Sequence, residues 1–178
     1  MVRSMSALAL AVLMGVPLLA AEDTYKLDGE NTKVTFVGTK PGGKHNGGFK
    51  KLTGTATVAD GTLSKIEVEI DCNSLFSDDT KLTAHLKSPD FFGVKDNPTS
   101  TFKTTKIEKT DKGYSITGDL TLLGKTKSIT FPATVTEKDG TLSLAASFDI
   151  DRTQWGMNFG RGKVNDKVAL KVALTAKK

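Results

Sequence analysis

Residues 114–135 read YSITGDLTLLGKTKSITFPATV, and apolar or small residues occupy every second position in both halves of this stretch. In the first half these positions hold Tyr114, Ile116, Gly118, Leu120 and Leu122. In the second half they hold Ile129, Phe131, Ala133 and Val135. Successive side chains of a β-strand point to opposite faces, so a period of two residues is typical of a strand with one buried face. The stretch therefore predicts two neighbouring strands.

The same alternation recurs along most of the chain. It predicts further strands over residues 25–28, 33–38, 49–59, 66–70, 102–108, 142–150 and 168–174. The dipeptides Asp60-Gly61, Lys112-Gly113 and Asp139-Gly140 separate neighbouring runs and supply the positive φ angles that tight hairpins need. A sheet of about eight or nine strands without a domain break is expected to close on itself or to fold into two layers, and a soluble barrel with an apolar interior fits the composition better than an outer-membrane barrel does. We therefore predict an all-β fold, a closed antiparallel β-barrel of about eight strands.

Residues 78–102, DDTKLTAHLKSPDFFGVKDNPTSTF, break the alternation. The leading aspartates can cap a short helix, and Leu82 and Leu86 share one face of it. Pro89 ends this helix, and two adjacent phenylalanines follow in a polar connector. We predict a short helix and lid around residues 79–93, which either completes the core or gates a ligand.

Small residues on the predicted inner face bear on whether the barrel is hollow. A closed barrel of about eight strands is just wide enough to fill with side chains or to hold one small ligand. Gly118, Ala133 and Ala146 are small inward positions, which favours a cavity. The alternative is a structural or stress-protective barrel with a filled interior.

Residues 1–21 have the composition of a secretory signal peptide. They contain one basic residue, Arg3, then an apolar run over residues 7–14 and small residues before Glu22. The run is shorter than the roughly 20 residues of a membrane-spanning helix. An uncleaved anchor is the alternative. We predict a signal peptide over residues 1–21, one domain over residues 22–178, and a periplasmic or secreted location.

The charge is mildly basic, with 25 Lys and Arg against 20 Asp and Glu and a formal net charge of +5. Basic and acidic residues alternate, as in residues 64–69, instead of clustering, so nucleic acid is not an expected partner. A weak attraction to anionic surfaces, with transient contact at a membrane surface, is the alternative to a plain solvated surface. Cys72 is the only cysteine, so the fold must hold without an internal disulfide. A homodimer paired through Cys72 stays open.

Catalytic motifs are sparse. The two histidines, His45 and His85, lack the spacing of zinc ligands, and no G-x-S-x-G motif is present. Gly38, Gly43 and Lys44 match the spacing of a P-loop, but neither Ser nor Thr follows the lysine. We predict no catalytic residue, no metal and no cofactor. A hydrolase with polar residues at the barrel mouth remains an alternative, and a buried acid–base pair with a perturbed pKa would be its mark.

Several segments resemble the YceI-like polyisoprenoid-binding family. They are residues 85–92 (HLKSPDFF) with Asn97-Pro98 and Thr101-Phe102, residues 118–126 (GDLTLLGKT), residues 151–157 (DRTQWGM) and residues 164–170 (VNDKVAL). With residues 25–28 and 34–36 they span essentially the whole predicted domain in order. The chain departs from the family at Asn31-Thr32, where members often have His-Ser, and in the glycine-rich loop over residues 40–48.

The resemblance implies a lipocalin-like antiparallel barrel that carries an isoprenoid chain in its apolar interior, usually in the bacterial periplasm and without catalysis. The bound lipid, a polyisoprenoid or an isoprenoid quinone, would be a ligand and not a cofactor, and the protein would act as its carrier or buffer. We expect wall residues and lid residues to contact it. The predicted ligand-binding residues are Phe36, Phe49, Val68, Ile70, His85, Leu86, Phe91, Phe92, Phe102 and Trp155.

Overall fold

The computed structural model describes residues 22–178, so the predicted signal peptide lies outside the described residues. The strands are β1 (Glu22–Asp28), β2 (Thr32–Lys40), β3 (Gly43–Phe49), β4 (Leu52–Ala59), β5 (Thr62–Asp71), β6 (Leu75–Ser77), β7 (Thr99–Thr110), β8 (Gly113–Leu122), β9 (Lys125–Lys138), β10 (Thr141–Asp151) and β11 (Lys167–Lys177). One α-helix, α1 (Thr80–Lys87), and two 3₁₀ helices, Cys72–Ser74 and Arg152–Trp155, complete the described elements. None of these helices has the length and apolar character needed to cross a membrane.

The strands form a single antiparallel sheet. Its order is β1-β4-β5-β7-β8-β9-β10-β11-β2-β3-β6. The predicted all-β antiparallel fold is confirmed, but the closed barrel of about eight strands is wrong, because eleven strands form a curled half-barrel. Within residues 22–178, no ladder joins β1 to β6 at the two ends of the sheet. Strand β6 is only three residues long, and the chain leaves it for helix α1, so this edge meets a helix and not another strand.

Strand β3 was not expected from the sequence. The predicted loop over residues 40–48 is mostly this strand, and the predicted strand over residues 49–59 is interrupted after Phe49. Strand β3 contains three glycines, and because glycine is depleted in strands, its sequence did not indicate a strand. A Cβ atom on Gly47 would lie 2.3 Å from Cζ of Phe36, so the close packing of the ring requires glycine at this position.

Two of the three predicted dipeptides form hairpin turns, whereas the turn between β7 and β8 is Asp111-Lys112, and Gly113 begins β8 with a φ of 129°. Asp60-Gly61 joins β4 to β5 with φ angles of 49° and 70°, and Asp139-Gly140 joins β9 to β10 with 51° and 70°. Positive φ at both central residues matches the twist of the flanking strands. Leu123-Gly124 has the same signs, at 51° and 68°, although leucine gives no turn signal.

Helix α1 begins as predicted. The Asp79 carboxylate accepts a hydrogen bond of 2.7 Å from the backbone N–H of Leu82, which caps the first turn. After the helix, the N–H of Phe92 donates to the carbonyl of Leu86 at 3.0 Å, and the N–H of Val94 donates to Lys87 at 3.1 Å. These bonds fold the connector back onto the helix. We call residues 79–94 the lid.

The core fills the space that the curled sheet encloses. It combines buried side chains from both halves of the sheet with Leu86 and Phe91 of the lid. A smaller cluster of Leu120, Leu122, Trp155 and Met157 lies beside it. The lid is therefore packed onto the sheet through apolar contacts.

Candidate functional site

A cavity of about 320 Å³ lies between the sheet and the lid. Ligand pockets in proteins typically span roughly 300–1,000 Å³. Its apolar side chains from the sheet are Val34, Phe36, Phe49, Ile70, Leu120, Leu122, Ile150, Val168 and Leu170. The lid contributes Leu82, His85, Leu86, Phe91 and Phe92, and the segment after β10 contributes Met157, Phe159 and Val164. The site is thus a hydrocarbon-lined space between two apolar surfaces.

The alternation of side chains along each strand determines which residues line the cavity. Val168 and Leu170 of β11 line the cavity, whereas Lys171 is exposed on the other face of the strand. In the ladders, Leu170 lies opposite Phe36 of β2 and Val168 lies opposite Ile150 of β10. Three neighbouring strands therefore present one continuous apolar stripe to the cavity.

Aromatic rings close the cavity on the lid side. The His85 and Phe91 rings of the lid lie 5.1 Å apart, and Phe159 packs against them at 4.8 Å and 5.4 Å respectively. Phe92 meets Phe49 of the sheet edge-on at 5.6 Å. Such tilted and edge-to-face pairs contribute about 0.5–1.5 kcal/mol beyond the area that they bury. The lid is therefore held to the rim of the cavity by ring contacts.

Two histidine–aspartate pairs lie at the same rim. Nε2 of His85 lies 2.9 Å from Oδ2 of Asp90, within the lid. Nδ1 of His45 in β3 lies 2.9 Å from Oδ1 of Asp78, which also accepts the backbone N–H of Asn46 on its other oxygen at 2.7 Å. The hydrogen bond from Asn46, followed by that from His45, lowers the pKa of the Asp78 carboxyl below its ordinary value. Asp78 therefore ties β3 to the start of the lid.

Arg152 anchors the segment that completes the wall of the cavity. Its side chain is buried, and its guanidinium donates to the carbonyls of Met157, Phe159, Val164 and Asn165. Nη2 of Arg152 lies 3.5 Å from Oδ1 of Asp166, a buried oxygen without a hydrogen bond. We call residues 156–166 the anchored loop, since one buried side chain holds both of its ends.

The structure brings most of the predicted site residues to the cavity. Those that line it are Phe36, Phe49, Ile70, His85, Leu86, Phe91 and Phe92. Val68, Phe102 and Trp155 lie outside the lining. That any of these residues contacts a ligand stays a prediction.

The three predicted residues that do not line the cavity are held elsewhere by specific contacts. The Phe102 ring packs over Gly118, where an added Cβ would lie 2.5 Å from its Cζ, and Val68 lies opposite Phe102 in the ladder. Gly118 therefore makes room for a ring and not for the cavity, contrary to the interpretation of this small residue above. Trp155 is buried behind the wall, where its indole N–H donates to the carbonyl of Leu120 at 3.0 Å.

Several lining residues were not predicted from the sequence. Five of them occupy alternating apolar positions of predicted strands: Leu120, Leu122, Ile150, Val168 and Leu170. The sequence therefore identified the apolar face of each strand but not the part of that face that lines the cavity. Phe159 belongs to no alternating run, and its neighbourhood of glycines and basic residues gives no sign of a wall. Its position depends on the contacts of Arg152 within the anchored loop.

Cys72 lies away from solvent, with 1% of its surface exposed, and its Sγ is 3.1 Å from Oγ of Ser100. Burial raises the pKa of the Cys72 thiol. A disulfide between two copies through this residue would require local opening of the fold. Within residues 22–178, no group of three or more His, Cys, Asp or Glu side chains is placed to hold a metal ion.

The thiol of Cys72 should react with an aromatic disulfide reagent at least about 100-fold more slowly in the folded protein than in denaturant, because attack requires local opening. The raised pKa acts in the same direction at about pH 8, since it lowers the thiolate fraction. Absorbance of the released thiol measures both rates. Rapid reaction of the folded protein would contradict the buried position.

Comparisons with known proteins identify relatives of this chain in both sequence and structure. The model of the YceI-like domain matches residues 25–176. A UPF0312 protein of Pseudomonas putida strain W619 is 37% identical over 143 residues, which cover 74% of this chain and 72% of the relative. The crystal structure of BcnA from Burkholderia cenocepacia covers 82% of this chain and 96% of its own, with a TM-score of 0.75 and 25% identity.

A polyisoprenoid binding domain from Saccharophagus degradans, implicated in plant cell wall breakdown, has the same fold. It covers 86% of this chain and 97% of its own, with a TM-score of 0.69. At 12% sequence identity this likeness concerns the fold alone.

Proposed function

Because this chain belongs to the YceI-like family, we propose that it is a non-catalytic binding protein that holds the chain of a polyisoprenoid or an isoprenoid quinone beneath the lid. The observation that carries this proposal is the apolar cavity of about 320 Å³. A related fold has been described as a polyisoprenoid binding domain, which supports the same ligand class.

The chemistry of the lining suits a hydrocarbon chain. An isoprenoid tail cannot cross water unaided, and each CH₂ group that it buries gains about 0.8 kcal/mol. Six sequestered carbons would contribute about 5 kcal/mol before the cost of immobilising the chain is subtracted. The polar side chains of the lining include Lys40, His45 and His85, so the head group would remain near them while the tail lies along the apolar stripe.

Two other functions receive less support. A structural barrel with a filled interior does not account for the cavity. A hydrolase of the expected kind would need a buried acid–base pair beside its substrate. The two candidate pairs at the rim, His45–Asp78 and His85–Asp90, are not buried, since each of their side chains is at least 39% exposed. Binding without chemistry is the function that the geometry favours.

The site of action in this proposal is the periplasm or the extracellular space. The composition of residues 1–21 supports export, and a carrier there would shield an isoprenoid tail from water between two membranes or buffer its free concentration. Delivery of the tail then depends on opening of the lid.

Trp155, the only tryptophan, provides a direct binding assay. Its indole hydrogen-bonds to Leu120, whose side chain lines the cavity, so a quinone bound there should quench its fluorescence. We expect an isoprenoid quinone to quench the fluorescence of the delipidated protein in a saturable way, with one equivalent bound per chain. A polyprenol, which lacks the quinone ring, should displace it and restore the fluorescence. The same quinone ring without its isoprenoid tail is the control. Quenching that does not saturate, or an affinity for the tailed quinone no higher than for the ring alone, would refute the proposal.

A further inference from the structure

Two loops meet beside the lid at the rim of the cavity. One is the turn between β2 and β3, and the other is the anchored loop. The backbone N–H of Asn165 donates to the carbonyl of Thr39 at 2.9 Å, and its side-chain amide donates to Oγ1 of Thr39 at 2.7 Å. Because these bonds join the loops, residues 39–45 and 157–165 form one surface, which we call the mouth surface.

The mouth surface is rich in cations, and the acids beside it, Asp78 and Asp166, are paired with His45 and with Arg152 and Arg161 respectively. Lys40, Lys44, Arg161 and Lys163 belong to it, and neither of its two segments contains an aspartate or a glutamate. Arg161 lies 3.6 Å from Asp166 at its border. Within residues 22–178, the ammonium groups of the three lysines have no carboxylate at ion-pair distance, and all three residues are exposed.

An aromatic side chain stands among these cations. Phe159 is the only large apolar side chain exposed in the described part of the chain, at 44% of its surface. Its ring also contacts His85 and Phe91 of the lid. Exposed aromatic residues flanked by lysines are typical of segments that rest at a membrane–water interface.

The opposite ends of the strands have a different character. The hairpin turns there mix charges, with Asp60, Asp111 and Asp139 beside Lys112 and Lys138. An anionic surface would therefore attract the end of the molecule where the cavity opens more strongly than the other end. An apolar ligand must enter at the same end, and its natural reservoir is a bilayer.

We propose that the mouth surface docks on an anionic lipid bilayer, with Phe159 among the head groups and Lys40, Lys44 and Lys163 on the lipid phosphates. Its purpose, loading or delivery of the ligand, rests on the proposed function, but the contact itself requires no bound ligand. The contact of Phe159 with the lid places the inserted ring next to the element that must open.

Flotation with vesicles of phosphatidylglycerol and phosphatidylcholine, free of isoprenoid, tests the contact. Each basic residue at an anionic surface is worth about a fivefold change in partitioning. We expect Lys44→Glu with Lys163→Glu to weaken binding at least about tenfold, and Phe159→Ala to weaken it by about fivefold. Binding of the unaltered protein should be lost at about 0.5 M salt, since surface charges are then screened.

The matched control is Lys109→Glu with Lys112→Glu, which changes the net charge by the same amount. These exposed lysines lie at the end of β7 and in the turn that follows it, whereas the cavity residues of β7 and β8, Ser100, Leu120 and Leu122, lie at the other end of the strands. We expect the control to change binding by less than about twofold. Circular dichroism verifies the fold of each variant.

Three outcomes would overturn the inference. They are absence of binding to the anionic vesicles at low salt, equal losses in the mouth and control variants, and equal binding to pure phosphatidylcholine. Binding to an immobilised acidic polypeptide but not to vesicles would assign the surface to an acidic protein instead. Because the vesicles contain no isoprenoid, failure here is separate from failure of the quinone titration.

Discussion

Replacing Leu170 with tryptophan should weaken isoprenoid binding about 100-fold and leave the fold intact. Leu170 lines the cavity from the middle of β11, opposite Phe36. The added indole would occupy space that the ligand needs, and displacing about four buried carbons removes about 3 kcal/mol of binding free energy. The cavity of about 320 Å³ accommodates the ring without forcing the core apart. Titration of an isoprenoid quinone, followed by native mass spectrometry, measures the effect.

The neighbouring substitution Lys171→Trp provides the matched control. Lys171 is exposed on the outer face of the same strand, so its replacement adds the same side chain without entering the cavity. We expect binding within about twofold of the native protein. Unchanged affinity in Leu170→Trp, or an equal loss in both variants, would show that the ligand does not occupy this cavity.

Arg152→Ala should lower the free energy of unfolding by about 3 kcal/mol or more. Arg152 has 3% of its surface exposed and donates to four backbone carbonyls of the segment that follows it. Alanine would leave these carbonyls and the buried Oδ1 of Asp166 without their cation. Because the anchored loop supplies Met157, Phe159 and Val164 to the cavity, ligand binding should weaken as well.

Urea unfolding of matched variants isolates this role. Arg152→Lys keeps the charge but not the planar fork of donors, so its loss should be intermediate. Arg161→Ala removes an exposed arginine near the same Asp166, at 3.6 Å, and should cost less than about 0.5 kcal/mol. A loss in Arg152→Ala no greater than in Arg161→Ala would contradict the anchoring role.

Much of the fold was predictable because its signals are local. Alternating apolar residues marked most strands, paired turn residues marked the hairpins, and the cap by Asp79 began the lid helix as expected. The number of strands and the closure of the sheet were not predictable. Strand β3 is rich in glycine, and β6 has three residues, so neither carries a local pattern. Closure depends on pairing between distant strands, which alternation does not specify.

The site shows the same division. Leu170 and Leu174 occupy the same face of β11, yet Leu170 lines the cavity and Leu174 is buried in the core. Alternation identifies that shared face but not how far the core extends along it. In the same way, Gly118 signalled open space in the sequence, whereas the ring of Phe102 fills that space in the structure. The break in alternation over residues 78–102 identified the lid as one contiguous segment, and its residues Leu86, Phe91 and Phe92 lie at the cavity. That they contact a ligand stays a prediction.

Native mass spectrometry of the exported protein, purified without organic solvent, tests the central claim most directly. Extraction of the same sample then identifies any lipid that is bound. We predict an adduct of one isoprenoid lipid per chain, which is lost on extraction and restored by a polyprenol or an isoprenoid quinone. A mass equal to that of the polypeptide alone, unchanged after incubation with both lipids, would contradict isoprenoid binding by this chain.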